Sequence, residues 1–338
     1  FYIIKHNAAK ETPVGAHMNH NAKKNNSRGR HIKKPRNMPL LGWRDILLRV
    51  RNRLDTDNLG LIAGGVAFFF LLAIFPAISA MVAIYGLVND PTDMQEQFQS
   101  FSQLLPTEAS EIILSQLQEV TRQSSASLSM GALLGMLFAF WSSMKGMLAM
   151  IRALNVVNLE DEKRGFFELR FFAFFLTVCS VIFVVVCLFL IAFIPLLLNN
   201  LGLASFSETL FSLLRWPLLT VMILVMLAII FRFAPSRNNA RWVWIMPGTI
   251  VAVVLWLIGS ILFSWYTSNY AQYNATYGSL GAVIILLLWF YLTAYIVLIG
   301  GVLNSEMEHQ TGVDTTIGEE KPIGQRKAEV ADTWGESP

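Results

Sequence analysis

The sequence predicts an all-α polytopic membrane bundle with six transmembrane helices and both termini in the cytoplasm. Six apolar runs of 20 or more residues lie between residues 58 and 304, each long enough to cross ~30 Å of bilayer hydrocarbon. Only 14% of the 338 residues are charged, 54% are hydrophobic and the mean hydropathy is +0.50. A soluble domain carries about 25% charge. Lys and Arg alternate between successive loops, which orients the helices with the basic loops inside.

Along the chain, residues 1–39 read as a disordered basic arm rich in Lys, Arg, Asn and His. Of the 26 Lys and Arg, 13 lie between Lys5 and Arg53. No apolar stretch precedes residue 40, so no cleaved signal is expected and the first span serves as the insertion signal. Residues 40–57 place Trp43, Ile46, Leu47, Val50 and Leu54 on one helical face and Arg44, Arg49, Arg51 and Arg53 on much of the other. That pattern suits an amphipathic helix lying on an anionic membrane surface.

The six-helix domain spans 58–304. Its apolar runs are 59–88, 128–149, 171–198, 210–233, 244–266 and 280–303. Between the first two, residues 89–127 carry one basic residue, Arg122, beside six acids, and read as a periplasmic helical hairpin. The loop 150–170 has Arg152, Lys163, Arg164 and Arg170, and the loop 234–243 has Arg237 and Arg241. The loops 199–209 and 267–279 have none. Residues 305–338 turn polar and read as a disordered cytoplasmic tail.

The catalytic classes find little footing. Metal hydrolysis needs clustered His, Asp, Glu or Cys. The histidines His6, His17, His20, His31 and His309 all lie in the terminal segments, with no HExxH and no GxxxxGK[ST] phosphate loop. Cys179 and Cys187 sit in one apolar run and read as small packing residues. No catalytic residue, metal or cofactor is expected. The basic arm would attract phosphate of any kind, but it leads straight into a membrane helix, so lipid rather than nucleic acid is the expected partner.

Intramembrane cations are costly and mark candidate sites. Lys145 lies in the second span, with Arg152 and Asn155 following at seven and ten residues. Arg215 lies in the fourth span. Tyr266, Tyr270, Tyr273 and Tyr277 step by four, three and four residues, which forms a stripe if the fifth helix continues. Snorkelling and an aromatic belt are the plainer readings of these groups. The sharper reading is a lining for an anionic ligand.

These features resemble the YihY/BrkB family of bacterial inner-membrane proteins, from about Leu40 to Glu308. The carriers are Gly64-Gly65 followed by Pro76, then Pro247-Gly248, Trp256, and Tyr277-Gly278-Ser279-Leu280-Gly281-Ala282-Val283. The pattern closes on Asn304-Ser305-Glu306. The resemblance implies a six-helix inner-membrane fold. It also brings an old ribonuclease BN label, links to serum resistance, and members that resemble movers of lipid or lipopolysaccharide. Two expectations follow. One is a transporter-like protein binding or moving an anionic, lipid-like substrate. The other is a non-catalytic scaffold acting through the outer hairpin 89–127.

Overall fold

In hydrocarbon, backbone amides must be satisfied within their own segment, so long apolar runs fold as helices. The computed structural model describes residues 28–85, 114–115, 131–200, 204–270 and 280–335. Their helices are α1 Leu40–Thr56, α2 Leu59–Tyr85, α3 Gly131–Val157, α4 Phe166–Asn200, α5 Ala204–Phe233, α6 Trp242–Tyr270, α7 Leu280–Gln310 and the short α8 Glu329–Asp332. The described residues contain no strand, only one isolated bridge between Ala240 and Thr316. Among them, three helices are long and apolar enough to cross a membrane, in α4, α6 and α7. A fourth is added if α1 and α2, bent by 64°, count as one. The hairpin expected over 89–127 lies outside the described residues, save the helical pair 114–115.

The long helices pack in chain order. α2 lies on α3, α3 on α4, α4 on α5, α5 on α6, α6 on α7, and α7 returns to α2. α7 also touches α1, α3 and α8.

The α6–α7 seam is the closest. Gly248 and Gly300 bring the two backbones together, and a Cβ at Gly300 would lie 2.6 Å from the Gly248 carbonyl oxygen. Asn304 Oδ1 accepts from the Gly248 amide at 2.7 Å. Farther along, Trp256 Nε1 donates to Thr293 Oγ1 at 3.2 Å, and Trp256 meets Trp289 edge-on. By contrast, a Cβ at Gly64 or Gly65 would meet nothing within 4 Å among the described residues. Close packing therefore belongs to Gly248 and Gly300 rather than to the glycine pair in α2.

At one end of the bundle, the α3–α4 turn, the α5–α6 turn and both terminal segments gather into a polar cap. Lys163 N donates to Ser236 Oγ, Asn238 N to Lys327 O, and Gly312 N to Arg30 O. The expected disordered tail is corrected here: residues 305–335 are built into the cap, with Thr311, Thr315, Val330 and Ala331 buried. The expected disordered arm is corrected over 28–39, which includes a 3-10 turn at Pro35–Asn37 and pairs with 310–312. Both segments fold because each supplies what the other lacks. Thr311 Oγ1 donates to Ile32 O, Gln310 Nε2 to Arg28 O, and Arg30 Nη2 to Gly335 O.

The basic face of α1 is also corrected. Arg49 and Arg53 turn inward onto Glu306 instead of facing outward. Buried carboxylates demand charge partners, and the nearest arginines are on α1.

Candidate functional site

α3 ends in a Schellman turn. Leu159 N bonds to Val156 O and Glu160 N to Asn155 O, with Leu159 at φ 57°. That positive φ is strained for a leucine. The turn aims Asn155 and Asn158 across at the α5–α6 turn. Asn155 Oδ1 accepts from Ser236 N at 2.8 Å, and its Nδ2 donates to Glu162 Oε2 at 2.9 Å. Arg164 forks onto Glu162 at 2.7 and 2.9 Å and reaches Ala234 O.

Two further arginines tie the cap to α7. Arg53 donates to Ser305 Oγ, Glu306 Oε1, and the carbonyls of Val156 and Val157 at the end of α3. A cation there meets the negative end of the helix dipole. Arg237 forks onto Glu308 at 2.7 and 3.2 Å, and Thr315 Oγ1 donates to the same carboxylate at 2.6 Å. Side chains of both partners are 3% exposed or less.

The sequence-derived candidates fall in different settings. Lys145 is half-buried, its Nζ 5.1 Å from the Trp141 ring centre. It lies twelve residues from the end of α3, about 18 Å along the axis. Arg152 is exposed, while Asn155 is buried and bound to the α5–α6 turn. Tyr266 is exposed on α6. Arg215 and Tyr270 lie in α5 and α6, and their side chains are outside the described residues, as are Tyr273, Tyr277, Gly278 and Ser279 altogether. Pro76 lies in α2, Pro247 and Gly248 in the second turn of α6, and Gly281 in the first turn of α7. Glu306, singled out only as part of the family pattern, is the acceptor at the centre of the cap. A signal was present: acids at the end of a long apolar run, set against surplus arginines before the first run.

Around the cap's rim, cations rest on aromatic faces. Arg164 lies 4.6 Å from the Phe172 centre, Arg170 3.7 Å from Phe166, and Arg232 4.2 Å from Trp242. Phe166, Phe167, Phe171 and Trp242 are exposed beside them. Arginine over an aromatic face is a favourable, orientation-fixing contact.

Two carboxylates of the cap titrate low. Burial pushes Glu162 up, but the bonds from Arg164 and Asn155 outweigh it and hold it below the usual range. Asp314 behaves likewise through Lys321 N, Thr316 and Arg326. Depressed carboxyls stabilise the folded cap above their unfolded pKa, and that contribution disappears as pH falls through the folded value. Hydrogen-exchange protection over 158–165 and 311–321, corrected for the intrinsic pH dependence of amide exchange, is therefore expected to hold steady from neutral pH down to about 5 and to fall below about 4. Equal protection on both sides of that window would overturn the assignment.

Apolar helices closed by a polar, ion-paired cap define an α-helical integral membrane protein. The chain belongs to the virulence factor BrkB family, whose model matches residues 50–324. It is 32% identical over 246 residues to a ribonuclease-like protein, YfkH, of Bacillus subtilis, covering 71% of this chain and 86% of that one. It is 25% identical over 258 residues to a UPF0761 membrane protein of Idiomarina loihiensis, covering 76% and 88%. A UPF0761 membrane protein of Psychromonas ingrahamii is 26% identical over 270 residues, covering 78% and 87%. No solved structure matches.

Proposed function

We propose that this chain is a six-span bacterial inner-membrane protein, transporter-like, that binds or moves an anionic, lipid-like substrate. Both termini and the capped end lie in the cytoplasm. The observation that carries the reading is the rim of cations on aromatic faces, Arg164, Arg170 and Arg232, beside exposed Phe166, Phe167 and Phe171. The amphipathic Trp242 ring suits the headgroup level of a bilayer, the exposed phenylalanines suit the apolar side beside it, and cations there attract anionic headgroups at about 1 kcal/mol each. Lys145 over Trp141 continues the series deeper along α3. The basic turns 158–165 and 234–241 meet both terminal segments at this end, which supports the inward orientation.

The test is native mass spectrometry of the purified protein in nanodiscs of mixed phosphatidylglycerol and phosphatidylethanolamine. The wild type is expected to retain phosphatidylglycerol preferentially. Lys145→Ala with Arg170→Ala is expected to weaken that preference several-fold, at about 1 kcal/mol per cation. Equal retention of both lipids by the wild type, or no change in the double variant, counts against the reading. The reading includes no catalytic step. The ribonuclease-like name belongs to the B. subtilis relative, and cleavage of RNA by the purified chain would displace this proposal. A scaffold role through 89–127 is the alternative, favoured if the purified protein shows no lipid preference and a partner binds that segment.

A further inference from the structure

A narrow, part-open cleft lies between the end of α5, the start of α6 and the last turns of α7. Its polar wall is Asn158, Arg232, Arg237, Asn304 and Glu308, with Phe231 and Ile245 beside them. Most of these groups are already bound. Arg237 forks onto Glu308 and reaches Asn158 Oδ1. Asn158 Nδ2 donates to Leu154 O. Glu308 also accepts from Thr315.

What remains on the wall is donors alone. Nε and Nη1 of Arg232 and Nδ2 of Asn304 are buried and have no hydrogen-bond partner. The Asn304 amide cannot be reversed at no cost, because its oxygen takes the proton of the Gly248 amide, a group that only donates. A guanidinium is a cation with five donors and no acceptor. The Arg232 Cζ lies 4.2 Å from the Trp242 ring centre, so an aromatic ring and not an oxygen covers it there. Glu308 carries the one negative charge on the wall, and Arg237 compensates it, which leaves Arg232 in excess. A buried guanidinium edge and amide without acceptors cost free energy unless something supplies oxygens.

We propose that this cleft is an oxyanion site that takes a phosphoryl oxygen, with Arg232 donating through its edge and Asn304 completing the cradle. The inference deepens the lipid reading by giving it a built site. It rests on that reading only for the source of the phosphate. A lipid headgroup and free inorganic phosphate share the chemistry, and the experiment separates them.

The full chain in neutral detergent is titrated separately with phosphatidylglycerol, with phosphate-free glucosyl-diacylglycerol and with inorganic phosphate. Native mass spectrometry and thermal melting are the readouts. One phosphatidylglycerol is expected to bind the wild type about tenfold more tightly than Arg232→Gln, as loss of a charge-assisted fork implies. Glucosyl-diacylglycerol is expected to bind both proteins equally. Asn304→Asp keeps the acceptor for Gly248 and adds a carboxylate beside the guanidinium. It is expected to melt higher than the wild type without ligand and to lose the tight phosphatidylglycerol. If inorganic phosphate alone raises the wild-type melt and spares Arg232→Gln, the site stands with a soluble ligand. If neither phosphate source separates folded Arg232→Gln and Asn304→Asp from the wild type, the donors face water and the proposal is overturned. A wild type that prefers phosphatidylglycerol to glucosyl-diacylglycerol, with the same preference kept in Arg232→Gln, would leave the lipid reading standing and remove the cleft.

Discussion

Glu306→Ala is expected to destabilise the capped end by about 3–5 kcal/mol, the cost of leaving buried charge uncompensated. The Glu306 side chain is 2% exposed and receives Arg49 and Arg53, each 11% exposed, with His309 at 3.7 Å. Removing it takes from Arg49 and Arg53 the buried carboxylate they share against the last turns of α7. Arg53 would keep Val156 O, Val157 O and Asp57, and Arg49 would keep Gln310. Of these only Asp57 is a carboxylate, and it is more exposed than Glu306, 18% against 2%. Melting in detergent should fall, and protease should open residues 28–57 and 311–335 before the transmembrane helices. Glu306→Gln keeps the shape and one acceptor, so an intermediate loss is expected. This measures the cost of breaking the cluster, not the net worth of having it, because apolar replacement of all three groups can be neutral. An unchanged melt with an unchanged digestion pattern would remove Glu306 from the centre of the cap.

Gly248→Ala is expected to be the most damaging glycine-to-alanine change among the described residues. An added Cβ would meet the Gly300 carbonyl oxygen, and would lie 2.5 Å from Asn304 Oδ1 and 2.6 Å from its Cγ. The first obstacle is backbone, and the second is an amide held by the Gly248 N–H. Neither yields without separating α6 from α7. Overpacking of this kind costs about 1–3 kcal/mol or more. It also dislodges Asn304 from the cleft, so the loss should extend to retention of the tight lipid. Gly64→Ala and Gly65→Ala are the controls, since an added methyl there meets nothing among the described residues. Alanine gains about 1 kcal/mol over glycine within a helix, so those variants should melt at or above the wild type. Equal behaviour of Gly248→Ala and Gly64→Ala would show that the seam is looser than drawn.

Much of this bundle was legible in the sequence. The apolar run expected over 244–266 is the helix Trp242–Tyr270, and the run over 171–198 is Phe166–Asn200. Such runs are local, because length and apolarity alone decide whether a segment can bury its own backbone in lipid. The cap was not legible. The run over 280–303 continues as helix to Gln310, and Glu306, Glu308 and Gln310 become buried there. Their partners, Arg49 and Arg237, are 257 and 71 residues away in sequence. No local pattern records a pairing over that distance. The candidate residues show the same division. Lys145, Arg152 and Asn155 read as neighbours by helical spacing, yet one is half-buried, one exposed and one bound to a turn across the bundle. Arg232 lies at the end of the apolar run 210–233, where no local spacing marks it. Its importance comes from the absence of an acceptor around two buried nitrogens.

The sequence by itself determined that the chain is an apolar helical membrane protein, which helices it has, and that its charge gathers between them. The tertiary structure decided that the arm and the tail fold onto each other, that the arginines of α1 point inward, and that Gly248 and Gly300 share the tightest contact. The reason is physical. Hydrophobic burial follows from composition along a segment, whereas a buried charge is tolerable only beside its partner, and only the folded chain brings the two together.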